Sequence, residues 1–397
     1  MNKLFNKIEK LYYALFIVFL ITSLLDIVSI TSNPIFSMIL KCIRYLCYLY
    51  FGFIFIKNIK KITFVEVFLL LISLIVGYIS GNKFLVISIF IIMSVRHYDL
   101  KKVFKLSFFT MLMFFAVVTI LSQIKIIPDW IFERQSVVRH SLGFIYPTDC
   151  FSFFLVIVLL YFVAYDKEYS IWFMLLFELL NIILYIYTDG RLSFYLINLV
   201  LIIMLLLKSN KIYSIFQNIF KFRLIKIIVC LIPFIFFTGF MIVVSSYGKE
   251  LDYADKVDSV LSGRVRLTYE AFKEHNVTIF GEKIDWYGFG GYGYNNTLTN
   301  DAKYEYNFVD SSYPRVLLDY GIVFAVIIFV GYSFILLHYM NNNNIVMVFV
   351  FIIVLVWSLI ESSIIGIPRN MLVLTFSILF NYFHIFRKDK VLKNEEA

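Results

Sequence analysis

Four arginines stand in polar, glycine-bearing contexts within an otherwise apolar sequence. Arg139 opens the run RHSLGFIYPTD, Arg191 follows Thr188-Asp189-Gly190, and Arg264 and Arg266 belong to LSGRVR. A guanidinium stays charged and presents a planar fork of donors that matches phosphate oxygens. Several of them converging would hold a diphosphate, whereas each alone could equally anchor to a headgroup or pair with a carboxylate. Asp310, in FVDSSYPR with Tyr313, is a carboxylate able to take a proton from a hydroxyl. Its bland alternative is to cap the helix that follows. His140 and His275 are the other candidate bases. A further run, Trp286 to Tyr294, reads WYGFGGYGY. Gly288, Gly290 and Gly293 formally match a dinucleotide fingerprint, but no strand precedes them and no helix follows, so that reading fails. Aromatic faces such as that of Tyr292 suit sugar rings, or else pack the loop down. The sequence has no zinc-ligand spacing, no nucleophile elbow and no Asp-x-Asp pair, so no metal and no cofactor is expected.

The elements that must position these residues are hydrophobic. Of 397 residues, 61% are hydrophobic and 16% charged, against about 45–50% and about 25% in soluble domains. So few charges cannot cover the surface of a water-soluble chain of this length, and the excess apolar surface requires lipid. The net charge of +9 falls in short clusters between apolar runs, which points to membrane orientation rather than nucleic acid. Cys42, Cys47, Cys150 and Cys230 sit in or beside apolar runs, as small hydrophobes do.

A spanning helix takes about 20 apolar residues. That rule predicts about twelve spans, near 11–30, 35–56, 62–80, 84–95, 103–126, 147–165, 170–187, 191–207, 224–246, 315–337, 344–364 and 369–386. Lysines and arginines such as Lys57, Lys60, Lys101, Lys211 and Lys388 fall on one side of an alternating count, which places both termini in the cytoplasm. Within 211–223, Ile212, Phe216 and Ile219 share a helical face beside lysines, suiting a short helix on the inner membrane surface or a solvated connector. The fold expected is an all-α polytopic membrane protein. It comprises a bundle over 1–246, a large extracytoplasmic loop over 247–314, a second part of the bundle over 315–386 and a cytoplasmic tail over 387–397.

Charged residues within spans are costly and point to function. Asp26, Lys41, Arg44, Asp149, Arg191, Asp319, Glu361 and Arg369 all fall in or just beyond the outer halves of their spans, with Glu66 and Glu178 as exceptions. A midplane transport site would place them at half depth, so the bias indicates a site at the outer interface. The two longer outer segments, 128–140 and 247–314, would then carry it, since long loops are usually functional.

These residues resemble a known family. Arg139 to Pro147, Asp189-Gly-Arg191-Leu-Ser193, Ser262-Gly-Arg264 and Asp310-Ser-Ser-Tyr313 followed by Asp319-Tyr-Gly321 look like segments of the Wzy-type polymerases of O-antigen and capsular polysaccharide. That family belongs to the O-antigen ligase and polymerase superfamily. Thr148 stands where the family usually has Asn, and Asp310 stands where the ligase branch has a histidine, which favours the polymerase branch. The resemblance implies a glycosyltransferase of the bacterial cytoplasmic membrane that joins undecaprenyl-diphosphate-linked repeat units at its outer face. It implies Arg191, Arg264 and Arg139 as diphosphate ligands, with Arg266, Tyr292 and Tyr313 beside the substrate and Asp310 with Arg264 at the reacting bond. The partners implied are lipid-linked glycans, the bilayer, and the flippase and chain-length regulator of the same pathway. A ligase, a flippase of lipid-linked sugars, and a scaffolding partner in the pathway are the competing readings.

Overall fold

The computed structural model describes residues 2–32, 34–59, 62–134, 137–288 and 306–380. The tail at 387–397 and the glycine-rich segment with Tyr292 lie outside the described residues. The described residues form an all-α protein with one two-stranded hairpin. Seven helices are long and apolar enough to cross a membrane: Lys7–Ile27, Ile35–Lys57, Leu100–Gln123, Pro147–Glu168, Ile171–Thr188, Arg223–Tyr247 and Ser312–Asn341. An eighth arises if Arg191–Leu207 and Asn210–Ile219, bent by 99°, count as one span. A multi-pass membrane protein follows from these helices.

The remaining predicted spans are shorter helices, Phe64–Ile79, Lys83–Val95, Ile345–Trp357 and Met371–Phe380. Sixteen residues rise about 24 Å and thirteen about 20 Å, against a hydrocarbon core of about 30 Å. Hydropathy registers apolar length but not where a helix stops. The 344–364 run is the clearest example, because its helix ends at Trp357. The backbone beyond it is bonded to neighbouring side chains. Ser312 Oγ receives the Ile364 N–H at 3.1 Å and itself donates to the Glu361 carbonyl. The Tyr332 hydroxyl donates to the Ile364 carbonyl at 2.6 Å. Irregular backbone survives away from water only when its polar groups are met in this way.

Two compact units are present. The first comprises Met1–Phe53, Tyr98–Ile215 and Ile367–Leu372. Its helices are α1 (Asn2–Leu24), α2 (Pro34–Lys57), α5 (Leu100–Gln123), α6 (Pro147–Tyr165), α7 (Ile171–Thr188) and α8 (Arg191–Leu207). Helix α6 is buried along nearly its whole length and forms the centre, flanked by α5, α7 and α8. Between α5 and α6 lies a hairpin of β1 (Ile131–Arg134) and β2 (Val137–His140), with Phe132 opposite Arg139 and Ile131 opposite His140. The chain after it is tied to the end of α1 by the Ser29 N–H on the Gly143 carbonyl and the Ile145 N–H on the Ile27 carbonyl, both at 3.0 Å.

The second unit comprises Ile54–His97, Phe216–Gly366 and Val373–Ala397. It contains α3 (Phe64–Ile79), α4 (Lys83–Val95), α10 (Arg223–Tyr247), α11 (Asp252–Val260), α12 (Arg264–Glu274), α13 (Ser312–Asn341) and α14 (Ile345–Trp357), with α9 (Asn210–Ile219) straddling the division. Helices α10 and α13 are its main pair. Phe234 and Phe237 of α10 meet Phe329 of α13, and Ser333 Oγ donates to the Cys230 carbonyl at 2.5 Å. That carbonyl lies three residues before Pro233, where the helix loses an internal donor.

The described parts of the 247–314 segment, read from sequence as a large extracytoplasmic loop, pack within this unit. Val265 of α12 joins a cluster with Phe240 and Val244 of α10, and Ala271 packs with Val309 and Leu318. Helix α13 breaks at Gly321, whose φ is +78°. The freed Ile322 and Val323 N–H groups bond the Thr278 and Ile279 carbonyls at 3.0 and 3.2 Å. A Cβ on Gly321 would lie 2.4 Å from the Gly281 nitrogen, so this crossing requires glycine.

Candidate functional site

The polar side chains gather into one cluster in each unit. In the first unit the hub is Asp189, which ends α7 in the left-handed conformation. Arg134 Nη2 donates to the Asp189 carboxylate at 2.6 Å and to its carbonyl at 3.2 Å. Arg191 Nε donates to the same carboxylate at 3.1 Å. Burial works to raise the Asp189 pKa, but the hydrogen bonds from Arg191 and Arg134 prevail and hold the group below its ordinary range. Gly190 sits against Phe151 of α6, where a Cβ would come within 2.4 Å of the ring. The turn between α7 and α8 is therefore pressed onto the central helix.

Arg139 lies beneath this hub at 2% exposure. Its Nε donates to the Thr188 carbonyl at 2.7 Å, and its guanidinium stands over the Tyr146 ring at 5.6 Å. Nη2 is buried and has no acceptor among the described residues. Burial pushes the Arg139 pKa down, against the attraction of Tyr146. Such a group is costly to enclose unless an anion completes its bonding. Two guanidiniums thus share the Asp189 carboxylate, and the third, Arg139, is held beside it on the Thr188 carbonyl. Strand register puts Arg134 and Arg139 on the same face of the hairpin, and both reach the last residues of α7.

The other face of the hairpin carries a second constellation. His140 Nδ1 lies 2.6 Å from Asp129 Oδ2, and Asp129 Oδ1 accepts the Leu142 N–H at 2.7 Å. Elsewhere in this unit Arg44 pairs with Asp26, and Arg369 lies 3.5 Å from Asp149. Five of the outward-biased charges expected from sequence are thus paired in this unit, four with one another and Arg191 with its neighbour Asp189.

In the second unit Arg264 and Asp310 come together, 3.4 Å apart. Arg264 opens α12 after Gly263, which adopts a left-handed conformation. Its Nε donates to the Ile360 carbonyl at 3.0 Å and its Nη1 to the Leu261 carbonyl at 2.9 Å. Each of its three nitrogens therefore faces a protein oxygen. Arg266 turns outward and forms an exposed pair with Glu270 one turn on, at 3.0 Å. Tyr313 is fully enclosed, its hydroxyl donating to the Leu355 carbonyl at 2.9 Å. That position packs α13 against α14 and leaves no face of the ring for a sugar, contrary to the expectation from sequence.

Sequence reading passed over Arg134, Asp129, Arg315 and Trp286's partners. Arg315 lies between the rings of Trp286 and Phe308, at 4.4 and 4.5 Å, and donates to Asp319 at 2.7 Å. Trp286 Nε1 donates to the same aspartate at 2.8 Å. Of the two readings of these aromatics, sugar platform or loop packing, Trp286 takes the second and clamps the loop's end to α13. The i, i+4 spacing of Arg315 and Asp319 was a usable signal for half of that clamp. Among the described residues no three His, Cys, Asp or Glu side chains are grouped as metal ligands.

No protein-family model, no curated protein and no solved structure matches this chain.

Proposed function

We propose that the protein is a glycosyltransferase that lengthens a surface polysaccharide from lipid-diphosphate-linked repeat units at the outer face of a bacterial cytoplasmic membrane. The observation that carries this reading is the first-unit cluster. Arg134 and Arg191 share the Asp189 carboxylate, Arg139 is bonded to the adjacent Thr188 carbonyl, and its buried Nη2 has no acceptor among the described residues. Forked donors at a hairpin between two apolar helices suit a diphosphate at headgroup level, attached to a lipid whose tail stays in the bilayer. As the sugar leaves its carrier, charge builds on the diphosphate. Fixed cations that meet that charge lower the barrier without reorganising.

In this reading the chain crosses the membrane about twelve times with both termini cytoplasmic, the shorter helices completing spans together with irregular backbone. Arg264 and Asp310 brace the 247–314 segment against the end of α14. The substrates are two undecaprenyl-diphosphate-linked glycans, with the flippase and chain-length regulator of the pathway as neighbours. The resemblance to Wzy-type polymerases and the outward bias of charged residues in the spans support the same assignment.

The test is the protein in lipid vesicles supplied with undecaprenyl-diphosphate-linked repeat units, with products sized by gel. A ladder of lengthened glycan still on its lipid carrier is the expected result. Transfer of glycan to a different acceptor would make it a ligase. Movement of unlengthened units across the vesicle wall would make it a flippase and remove the polymerase reading.

A further inference from the structure

A transfer of this kind needs a group to take the proton of the attacking hydroxyl, and Asp129 with His140 is built for that task. Asp129 Oδ1 accepts the Leu142 N–H at 2.7 Å and the Ser141 hydroxyl at 3.4 Å. Ser141 is itself fixed, fully buried, with its Oγ receiving the Trp130 N–H at 2.9 Å. Leu142 and Gly143 follow with φ of +51° and +87°. A left-handed leucine is a sterically disfavoured conformation. Here it is held at the turn whose N–H groups orient the carboxylate, and strain of this kind gathers at functional sites.

An ionised carboxylate only accepts, so the imidazole nitrogen facing it carries the proton. In the neutral ring the 2.6 Å contact therefore puts the proton on Nδ1 and the lone pair on Nε2. One third of the His140 side chain is exposed. No bond from Nε2 to another group occurs among the described residues. The ring lies 5.8 Å from that of Tyr187, the residue before Thr188, whose carbonyl holds Arg139. The base and the guanidinium cluster thus occupy the two faces of one hairpin at the end of one helix.

The alternatives on the other unit are less well arranged. His275 lies 3.5 Å from Glu282, and Asp310 Oδ2 already faces Arg264 Nη2, which competes with a hydroxyl for the same oxygen.

We infer that His140 Nε2 is the general base of the transfer and that Asp129 is the residue that positions it. The inference rests on the glycosyl-transfer reading above. In the step, the acceptor hydroxyl oxygen forms a bond to the anomeric carbon of the donor. The bond from that carbon to the diphosphate oxygen breaks, and its electron pair leaves with the lipid diphosphate. The hydroxyl proton passes to Nε2, and the Asp129 carboxylate stabilises the imidazolium until the proton is lost to solvent.

The experiment uses the full chain in vesicles with undecaprenyl-diphosphate-linked repeat units, measuring kcat and KM across pH. His140→Ala should lower kcat about 1,000-fold with KM kept within about twofold. Its profile should lose the fall in rate on the acid side, and added imidazole should restore about tenfold in rate. Asp129→Asn should lower kcat about 100-fold with KM unchanged and without imidazole rescue, because the amide leaves the ring in the wrong tautomer. His140→Gln keeps size and a polar contact, so it should insert normally and stay inactive even if the alanine variant fails to fold. A His140→Gln protein with wild-type kcat, or a His140→Ala protein that keeps its acid limb, overturns the assignment of the base alone. A wild-type protein that makes no longer glycan overturns the glycosyl-transfer reading, and this assignment with it.

Discussion

Arg139 in the first unit and Arg264 in the second both follow from the same sequence reasoning, yet the fold treats them differently. Arg264 spends its Nε and Nη1 on the Ile360 and Leu261 carbonyls and faces Asp310 with Nη2. Arg139 is deeper, bonds one carbonyl through Nε, and leaves Nη2 without an acceptor among the described residues. An arginine whose nitrogens all meet protein oxygens is a brace for the segments that supply them. One left with buried, unmatched donors is set up for an outside anion, since leaving such a donor unbonded is costly. Position in a polar connection between apolar helices does not separate the two roles, but the bonding partners do.

Removing Arg139 gives the sharpest break in that comparison. Arg139→Ala should cut glycan elongation about 1,000-fold in reconstituted vesicles, as expected for a lost charge-stabilising donor set. Arg139→Lys should recover little of it, because an ammonium lacks the fork. A larger loss of elongation rate in Arg264→Ala, at equal folded fraction, would reverse the two assignments.

The next effect concerns folding of the second unit. Gly321→Ala forces a Cβ to 2.4 Å from the Gly281 nitrogen at a φ of +78°. Backbone against backbone has no flexible end to yield, so the cost should be about 3 kcal/mol, read as a drop in thermal midpoint in detergent. An unchanged midpoint would mean that the 278–282 crossing over α13 is not formed.

Arg264→Ala follows at about 2 kcal/mol of stability, the scale of hydrogen bonds made by a charged group. Protease cleavage between α11 and α12 should become faster in this variant. Unaltered cleavage with lost activity would move Arg264 from brace to ligand.

The smallest effect is at Asp189. Its pKa is held below the ordinary value of 3.8 by Arg191 and Arg134 acting against burial. The ionised form is thus favoured by folding, and its contribution is present above pH 3.8 and disappears as pH falls through the lowered value. Asp189→Asn should cost about 1 kcal/mol at neutral pH, and the gap to wild type should close in the acid melt below pH 3.8. A constant gap at all pH values would show that its ionisation contributes nothing.

How much was legible in the sequence varies with the length scale of the cause. The contexts of Arg139 and Arg191 stood out because polar, glycine-bearing runs interrupt apolar ones. The end of α14 at Trp357 did not stand out. The bonds that sustain the irregular backbone come from Ser312 and Tyr332, far away in the chain. Trp286 read as an open aromatic face because its sandwich with Arg315 and its bond to Asp319 depend on the loop folding back onto α13. Tyr313 read as accessible because a polar neighbourhood in sequence says nothing of the helix packed over it.

By itself, the sequence determined that this chain lives in a membrane. That conclusion needs only the sum of apolar and charged surface, which no rearrangement alters. It also determined which stretches are helical and apolar, since those are properties of runs of neighbouring residues. Only the tertiary structure decided which arginine keeps unmatched donors and which is bonded to backbone. It also decided that Asp189 is shared by Arg134 and Arg191 and that α12 packs within the second unit. These outcomes depend on which helices meet, and that is set by contacts between residues far apart in the chain, such as Arg264 with the Ile360 carbonyl at |i−j| of 96 and Asn82 with the Tyr320 hydroxyl at |i−j| of 238.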